Sequence, residues 1–559
     1  MDRNGDQQDQ CPPPLRQRIL HLRRKLTSRP RSPGNPPGSS SPVPLVRHIP
    51  SNDNDTLSPD HLSTLARGTG IAFSGNIVGK AAQVVTQVVL ARLLGPRDFG
   101  LYALGLTFLR ITGALSPLGL GLGVIRYASL YKEKDKARLK GVILQSLWTA
   151  TAMGLLLGGM LFLAAPYLAD RVFHKPGLEA VLRWFSFAIW LAAGLRVGSA
   201  TTRSTQRMEY SVITQNILLP LSHLVLVILL LKVFQAGMQG ALAARVTSFA
   251  LAFFLALFFI RRLFPEVFSH AVRAKYTFRE VLAFSLATAW AGVLNSLASW
   301  TDRLLIGYFR PAADVGFYQA SAQIATLFSI IAITLNTIVS PMIANMYGNE
   351  EKQQLNALFK VTTRWRLNLG LPLLIPVMVN ARDIMASIFG EAYLAGTGAM
   401  VILASAQVLN LGLGAVGLTL VMTGNQNRWL GITVISLVAN ITLNLVLIPR
   451  FGLIGAAFST AAAFLFSGVF GLITLFRRER LWPHDKRIFK GLFAGVVTTG
   501  ILLLLKHTVQ FHGRLDILIH LFASLISFGG IILLLGLDEE ERHLIGWIRS
   551  RFYQMFKVR

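Results

Sequence analysis

The chain has 559 residues, of which 52% are hydrophobic and only 15% charged, with a mean hydropathy of +0.50; an ordinary soluble domain carries about 25% charged residues. Repeated apolar runs of about 20 residues, the length a helix needs to cross a hydrocarbon core roughly 30 Å thick, exclude a soluble enzyme and a collagenous or mostly disordered chain. The single Cys11 excludes a disulfide framework and a multi-cysteine metal site, and the net charge of +28 has to be accounted for by nucleic acid or by membrane topology.

Residues 1–66 are polar, Pro-rich and Ser-rich, and read as a disordered basic tail. No apolar stretch follows the early charges, so a signal peptide is not expected. Within the tail Leu15, Ile19, Leu22 and Leu26 fall at helical spacing among Arg and Lys, which suits either a short helix on anionic lipid or a solvated basic tail.

From residue 69 the apolar runs predict fourteen transmembrane helices, at 69–92, 99–123, 141–165, 178–200, 212–234, 238–260, 281–306, 315–343, 363–387, 396–422, 429–448, 452–476, 488–508 and 515–536. An even number puts both termini on one side. With that side taken as the cytoplasm, 39 of the 55 Lys and Arg fall inside and 10 outside, as the positive-inside rule requires. The basic excess is thus mostly topological, and nucleic acid is not an expected partner. The end of the chain, 538–559, starts acidic and finishes basic, as an interfacial amphipathic helix would.

The chain also repeats. Gly100 and Tyr102 match Gly316 and Tyr318 at an offset of 216, and Gly237, Gly240 and Ala241 match Gly452, Gly455 and Ala456 at 215. Six spans separate the copies, so the two lobes, 67–262 and 263–480, run in the same direction and relate by an axis along the membrane normal. Two extra helices (481–537) and the terminal interfacial segment lie outside the repeat. The fold class is therefore an all-α polytopic membrane protein.

The stretches "ARLLGPRDFGLYALGLTFLRI…LGLGLGVIRY", "SWTDRLLIGYFRPAADVGFYQASAQI" and "NITLNLVLIPRFGLIGAAFSTAAAF" resemble helices 1–2, 7–8 and 11–12 of the polysaccharide-biosynthesis flippases, within the multidrug/oligosaccharidyl-lipid/polysaccharide exporter superfamily. The resemblance spans roughly residues 67–480. It implies two six-helix lobes around a central cavity that alternates between inward-open and outward-open states. The cargo it implies is a polyprenyl-pyrophosphate-linked oligosaccharide at the cytoplasmic membrane.

Several polar residues sit inside the spans. Asn76, Lys80, Gln83 and Gln87 recur at spacing 4, 3, 4 and share one face of the first helix. Ser285, Thr288, Gly292, Asn295, Ser299 and Asp302 form a similar stripe on the seventh, with Arg303 at its edge. The offset of 216 carries Gln87 onto Arg303. Such stripes face a wet cavity or another helix, not lipid. Lys80 and Arg110 lie near mid-span, where a cation costs very roughly 2.5–3.5 kcal/mol and needs an offset.

The basic interior suits an anionic pyrophosphate, with Lys80, Arg110, Arg245, Arg196 and Arg303 as head-group ligands and Asn76, Gln83 and Gln87 beside them. The competing reading of each is structural pairing or snorkelling. Asp302 pairs with a basic residue on a neighbouring helix or serves a coupling ion. Tyr102, Tyr318, Trp184, Trp190, Trp290 and Trp300 suit sugar stacking or interfacial anchoring, and His223 suits a hydrogen bond better than a metal. No cofactor is expected; the drive is a proton or sodium gradient or the cargo's own gradient.

No GxxxxGK[ST] motif or catalytic set is present, so the chain reads as a transporter and not an enzyme. The partners expected are the lipid-linked glycan, the membrane and a glycan polymerase complex. The alternatives are a flippase for the lipid-linked peptidoglycan precursor and a cation-coupled multidrug exporter. The latter favours a carboxylate where this sequence has Lys80.

Overall fold

The computed structural model describes residues 59–205, 207–508, 514–536, 538 and 541–542, which are helices and their connections with no strand among them. The described residues from 63 onward form one compact unit. Helix α1 (Pro59–Leu115) is followed by α2 (Leu120–Tyr131), α3 (Lys136–Tyr167), α4 (Gly177–Arg203), α5 (Met208–Val233) and α6 (Gly237–Leu263). The second lobe comprises α7 (Phe278–Phe309), α8 (Ala312–Gly348), α9 (Lys352–Val379) with its short continuation α10 (Ala381–Phe389), α11 (Thr397–Gly412), α12 (Val416–Met422) and α13 (Gln426–Glu479). Helices α14 (Ile488–Thr508) and α15 (Arg514–Leu534) complete the described chain.

Among the described residues ten helices are long and apolar enough to cross a membrane, or eleven if the bent pair α9–α10 is one span; the sequence predicts fourteen for the whole chain. The difference has a physical origin. Helix α1 is 57 residues long and α13 is 54; straight helices of that length would reach about 80–85 Å, far beyond a core of roughly 30 Å. Each holds one non-helical residue, Gly95 (φ 74°) and Gly452 (φ 57°), where only glycine adopts the left-handed backbone freely. Two expected spans meet at each break. Helix α1 begins at Pro59, within the segment 1–66 that the sequence assigns to the tail. The segments expected at 15–26 and 543–559 lie outside the described residues.

The lobes meet at both ends of the bundle: at one, a Cβ on Gly119 would lie 2.1 Å from the Ser285 carbonyl; the other carries the Gly95 break and the turn between α7 and α8. A Cβ on Gly100 would come within 1.8 Å of the Ala312 carbonyl, and one on Gly316 within 2.2 Å of the Pro96 carbonyl. These contacts are reciprocal: Pro96 and Ala312 are 216 residues apart, as are the two glycines. Around the crossing, Arg92 donates through Nε to the Ile388 carbonyl at 2.7 Å and through Nη2 to the Ser387 carbonyl. The Tyr393 hydroxyl donates to the Ala91 carbonyl at 2.8 Å.

Helices α14 and α15 are pinned to α9 at three levels. Arg364, whose side chain is 3% exposed, lies 3.5–3.7 Å from Asp538, Asp485 and Glu541. Pro376 has no N–H for the Pro372 carbonyl, and Ser524 Oγ donates to that carbonyl instead, at 2.8 Å. At the far end of α9, Lys506 Nζ donates to the Val379 carbonyl at 2.8 Å and lies 3.2 Å from Asp383. This caps a helix C-terminus with a cation. Helix α10 then turns away from α9 by 84° and carries Ser387 and Ile388 to Arg92.

Candidate functional site

A cavity of about 230 Å³ opens inside the first lobe, lined entirely by residues between 76 and 249. Its lining residues all belong to the first lobe, and one of them, Arg110, also reaches Trp300 of the second. Helix α1 contributes Asn76, Lys80 and Gln83, the inner three members of its polar stripe; its later residue Arg110 enters after the Gly95 break has reversed the chain. Arg196 comes from α4 and Arg245 from α6. Helix α5 supplies Gln215, Asn216 and His223. The first two sit in a π-helical segment, Val212–Leu218, whose wider turn re-aims side chains. Helices α1 and α5 close tightly here. A Cβ on Gly79 would meet the Asn216 carbonyl at 1.9 Å, and Asn216 Nδ2 donates to Asn76 Oδ1 at 2.8 Å.

Four cations and no carboxylate line the cavity. Arg245 is fixed: its Nη1 donates to His223 Nδ1 at 3.3 Å, and its Cζ lies 4.7 Å from the Phe249 ring centroid. Because Arg has only donors, His223 Nδ1 must accept, which leaves the proton on Nε2, 3.3 Å from the Tyr102 hydroxyl. The histidine is thus hydrogen-bonded, as its position suggested. Lys80, Arg110 and Arg196 make no hydrogen bond or ion pair with any described residue. The Nε atoms of Arg110 and Arg245 are buried without an acceptor. A buried cationic N–H without an acceptor is costly, and the four cations leave the lining strongly basic.

Two of the expected ligands lie elsewhere. Gln87 accepts a hydrogen bond at 3.4 Å from Gln319 Nε2 of α8, whose Oε1 accepts one at 3.0 Å from Arg303 Nε. These residues form a polar rung joining the lobes, with the repeat-related Gln87 and Arg303 at its two ends. Spacing placed Gln87 on the right face of the helix but says nothing of depth: it lies one turn beyond the cavity.

Of the two roles expected for Asp302, pairing with a basic residue finds no support among the described residues. Asp302 is 2% exposed, and neutral donors surround it in place of a basic partner. Tyr318 Oη and Thr460 Oγ1 donate to Oδ2 at 2.9 and 2.6 Å, and Asn444 Nδ2 donates to Oδ1 at 2.8 Å. Tyr318 is the repeat mate of Tyr102, and Thr460 lies 215 residues after Arg245. The same framework therefore holds a cation in one lobe and an anion in the other. Thr288 and Asn295 of the same stripe have side chains outside the described residues. Among the described residues no group of three or more His, Cys, Asp or Glu is placed to hold a metal ion.

The cavity's partners Gln215 and Asn216, and the buried Arg364 and Arg366 of α9, were not singled out in the sequence. Arg366 is 3% exposed and donates through Nη2 to Asn336 Oδ1 of α8.

A family model described as polysaccharide biosynthesis protein matches residues 65–347, and one described as lipid II flippase MurJ matches residues 216–523. Among curated relatives, the probable low-salt glycan biosynthesis flippase Agl15 of Haloferax volcanii is 23% identical over 256 residues, 46% of this chain and about half (54%) of that protein. The probable flippase AglR of the same organism is 21% identical over 491 residues, 86% of this chain and 98% of that protein. Among solved structures, the lipid II flippase MurJ in an inward closed conformation superposes with a TM-score of 0.67 at 14% identity, covering 86% of this chain and 100% of that one. An inward-facing multidrug resistance MATE family transporter of the MOP superfamily gives 0.61 at 16% identity, covering 73% and 98%. At such identities the structures speak for the fold alone.

Proposed function

We propose, since this chain belongs to the polysaccharide biosynthesis protein family, that it is a flippase for a polyprenyl-pyrophosphate-linked oligosaccharide, a precursor of surface polysaccharide. The observation that carries the reading is the cavity with four cations and no carboxylate. Lys80, Arg110 and Arg196 bind the diphosphate, Arg245 is held ready by His223, and Asn76 and Gln83 supply neutral hydrogen bonds beside them. The lipid tail stays in the bilayer and the glycan crosses in water. No covalent bond changes, so no catalytic residue is assigned. A multidrug exporter is disfavoured by the absence of a carboxylate among the lining residues. The peptidoglycan-precursor reading is disfavoured because the MurJ model begins at residue 216 and leaves Lys80, Arg110 and Arg196 outside its match, whereas the polysaccharide model covers them.

The contacts among Arg92, Gly100, Gly316 and Tyr393 close the end that charge distribution assigns to the outside, and the close approach of Gly119 to the Ser285 carbonyl brings the lobes together at the other end as well; both termini are read as cytoplasmic, in the cytoplasmic membrane. Asp302 is the group through which a proton or sodium gradient would drive the return step, being a buried carboxylate with only neutral donors around it. A glycan polymerase is the partner class that takes the product at the outer leaflet.

Deleting the gene should cause one lipid-pyrophosphate glycan to accumulate, read by mass spectrometry of the lipid extract and cured by the wild-type gene. Unchanged lipid-linked and surface glycans would refute the reading. Orientation has its own test: a cysteine replacing Ala313 should react with an impermeant maleimide added outside whole cells, and one replacing Ala137 should not. The opposite pattern inverts the topology.

A further inference from the structure

Arg110 faces two ways. It lines the cavity of the first lobe, and its Cζ lies 5.6 Å from the ring centroid of Trp300 on α7 of the second. That is within the roughly 6 Å over which a guanidinium is attracted to an indole face. A second guanidinium shares the ring, with Arg303 Cζ 4.9 Å from the same centroid. Arg303 is itself tied through Gln319 to Gln87 of the first lobe. Trp300 therefore stands between the cation that serves the cavity and the polar rung that joins the lobes.

This ring is the one partner Arg110 has among the described residues, and its Nε is buried without an acceptor. A phosphate entering the cavity offers paired, charge-assisted hydrogen bonds, a far better partner than a ring face. The side chain reaches the cavity of one lobe and a ring on the other, so turning it toward a phosphate in the cavity lengthens an already loose contact of 5.6 Å. A ligand moves a conformational equilibrium only through contacts that differ between the two states. The Arg110–Trp300 contact is such a contact, because it crosses the lobe interface.

We propose that Trp300 is the residue through which the second lobe senses an anionic head group in the first. Binding draws Arg110 off the indole, removes an inter-lobe contact and biases the lobes toward separation. The inference rests on the reading of the cavity as a diphosphate site. It assigns Trp300 a positioning role and not the sugar stacking or interfacial anchoring that its residue type suggests.

The test uses purified full-length protein, with geranylgeranyl pyrophosphate as the probe ligand. Trp300→Leu removes a contact that the ligand must otherwise break, so the variant should bind the probe about five-fold more tightly than wild type, the scale of a single cation–π contact. Trp300→Phe keeps a weaker ring face and should fall between, which guards against a folding defect in the leucine variant. Spin labels at Arg97→Cys and Ala392→Cys, both exposed on opposite lobes, in a Cys11→Ser background, should report a ligand-induced distance change in wild type and none in Trp300→Leu. Wild-type binding with unaltered affinity in both variants, or an undiminished distance change in Trp300→Leu, overturns the coupling and leaves the cavity assignment standing. No probe binding to wild type overturns the cavity assignment and this inference together.

Discussion

Arg110→Gln should abolish transport and at the same time make the protein more resistant to heat. The two effects have one cause. In the resting structure Arg110 makes no hydrogen bond or ion pair with a described residue, and its Nε is buried without an acceptor. An unsatisfied buried donor costs about 1–3 kcal/mol, so a neutral amide in its place should stabilise the fold by an amount of that order. A charge-assisted hydrogen bond to a ligand contributes about 1.5–3 kcal/mol, which translates into a roughly 10- to 150-fold loss of affinity for the lipid pyrophosphate. Lys80→Gln should lose affinity similarly but without the gain in heat resistance, because Lys80 is exposed.

Arg245→Gln provides the contrast. Arg245 holds His223 and stacks on Phe249, so its loss should lower transport and stability together. Rescue of a deletion strain, read by lipid-linked glycan analysis, and thermal unfolding of purified protein separate the two patterns. Normal transport by both Arg110→Gln and Lys80→Gln would end the basic-cavity mechanism.

The second large effect is steric. Gly316→Ala would place a methyl carbon 2.2 Å from the Pro96 carbonyl, and Gly100→Ala one 1.8 Å from the Ala312 carbonyl. Backbone on both sides leaves no flexible side chain to yield. Overpacking costs about 1–3 kcal/mol in ordinary cores, and here the strain exists only while the lobes touch. Either substitution should therefore destabilise the closed end selectively, shifting the population by about 10- to 100-fold. A cysteine replacing the fully buried Leu104 should become reactive from outside in either alanine background and stay protected otherwise. Equal protection in both, with normal transport, would show that the crossing does not control access.

The general architecture was legible because membrane helices announce themselves by length and charge by sidedness. The cavity was legible in part. The stripe of Asn76, Lys80 and Gln83 gave one wall, because helical spacing fixes a direction around the axis. Height along the axis is not encoded in spacing, so Gln87 and Arg303 were placed in the cavity when they belong to the rung between lobes. Gln215 and Asn216 escaped notice because a π-turn breaks the 3.6-residue period on which such stripes depend. Arg364 and Arg366 lie near the start of an expected span and read as loop cations. Their burial depends on Asp485, Asp538 and Asn336, far away in sequence. The kinks at Gly95 and Gly452 fall where apolarity alone had already divided each long helix into two expected spans.

The pinning of α9 by the last two helices sets an order of assembly. The Pro372 carbonyl, left without its helical donor, is answered by Ser524, which lies 152 residues further along. At about 5–20 residues per second of synthesis, that answer arrives roughly 8–30 s after α9 leaves the ribosome. The Val379 end of α9 and the buried Arg364 wait similarly for Lys506 and Asp538. Until then α9 carries an unanswered carbonyl, an unneutralised guanidinium and an uncapped end, all poorly suited to lipid. The ninth span is thus expected to reach its final depth only after translation is nearly finished. A chain truncated after residue 480 should insert its first lobe normally yet be recognised by membrane quality control through this one helix.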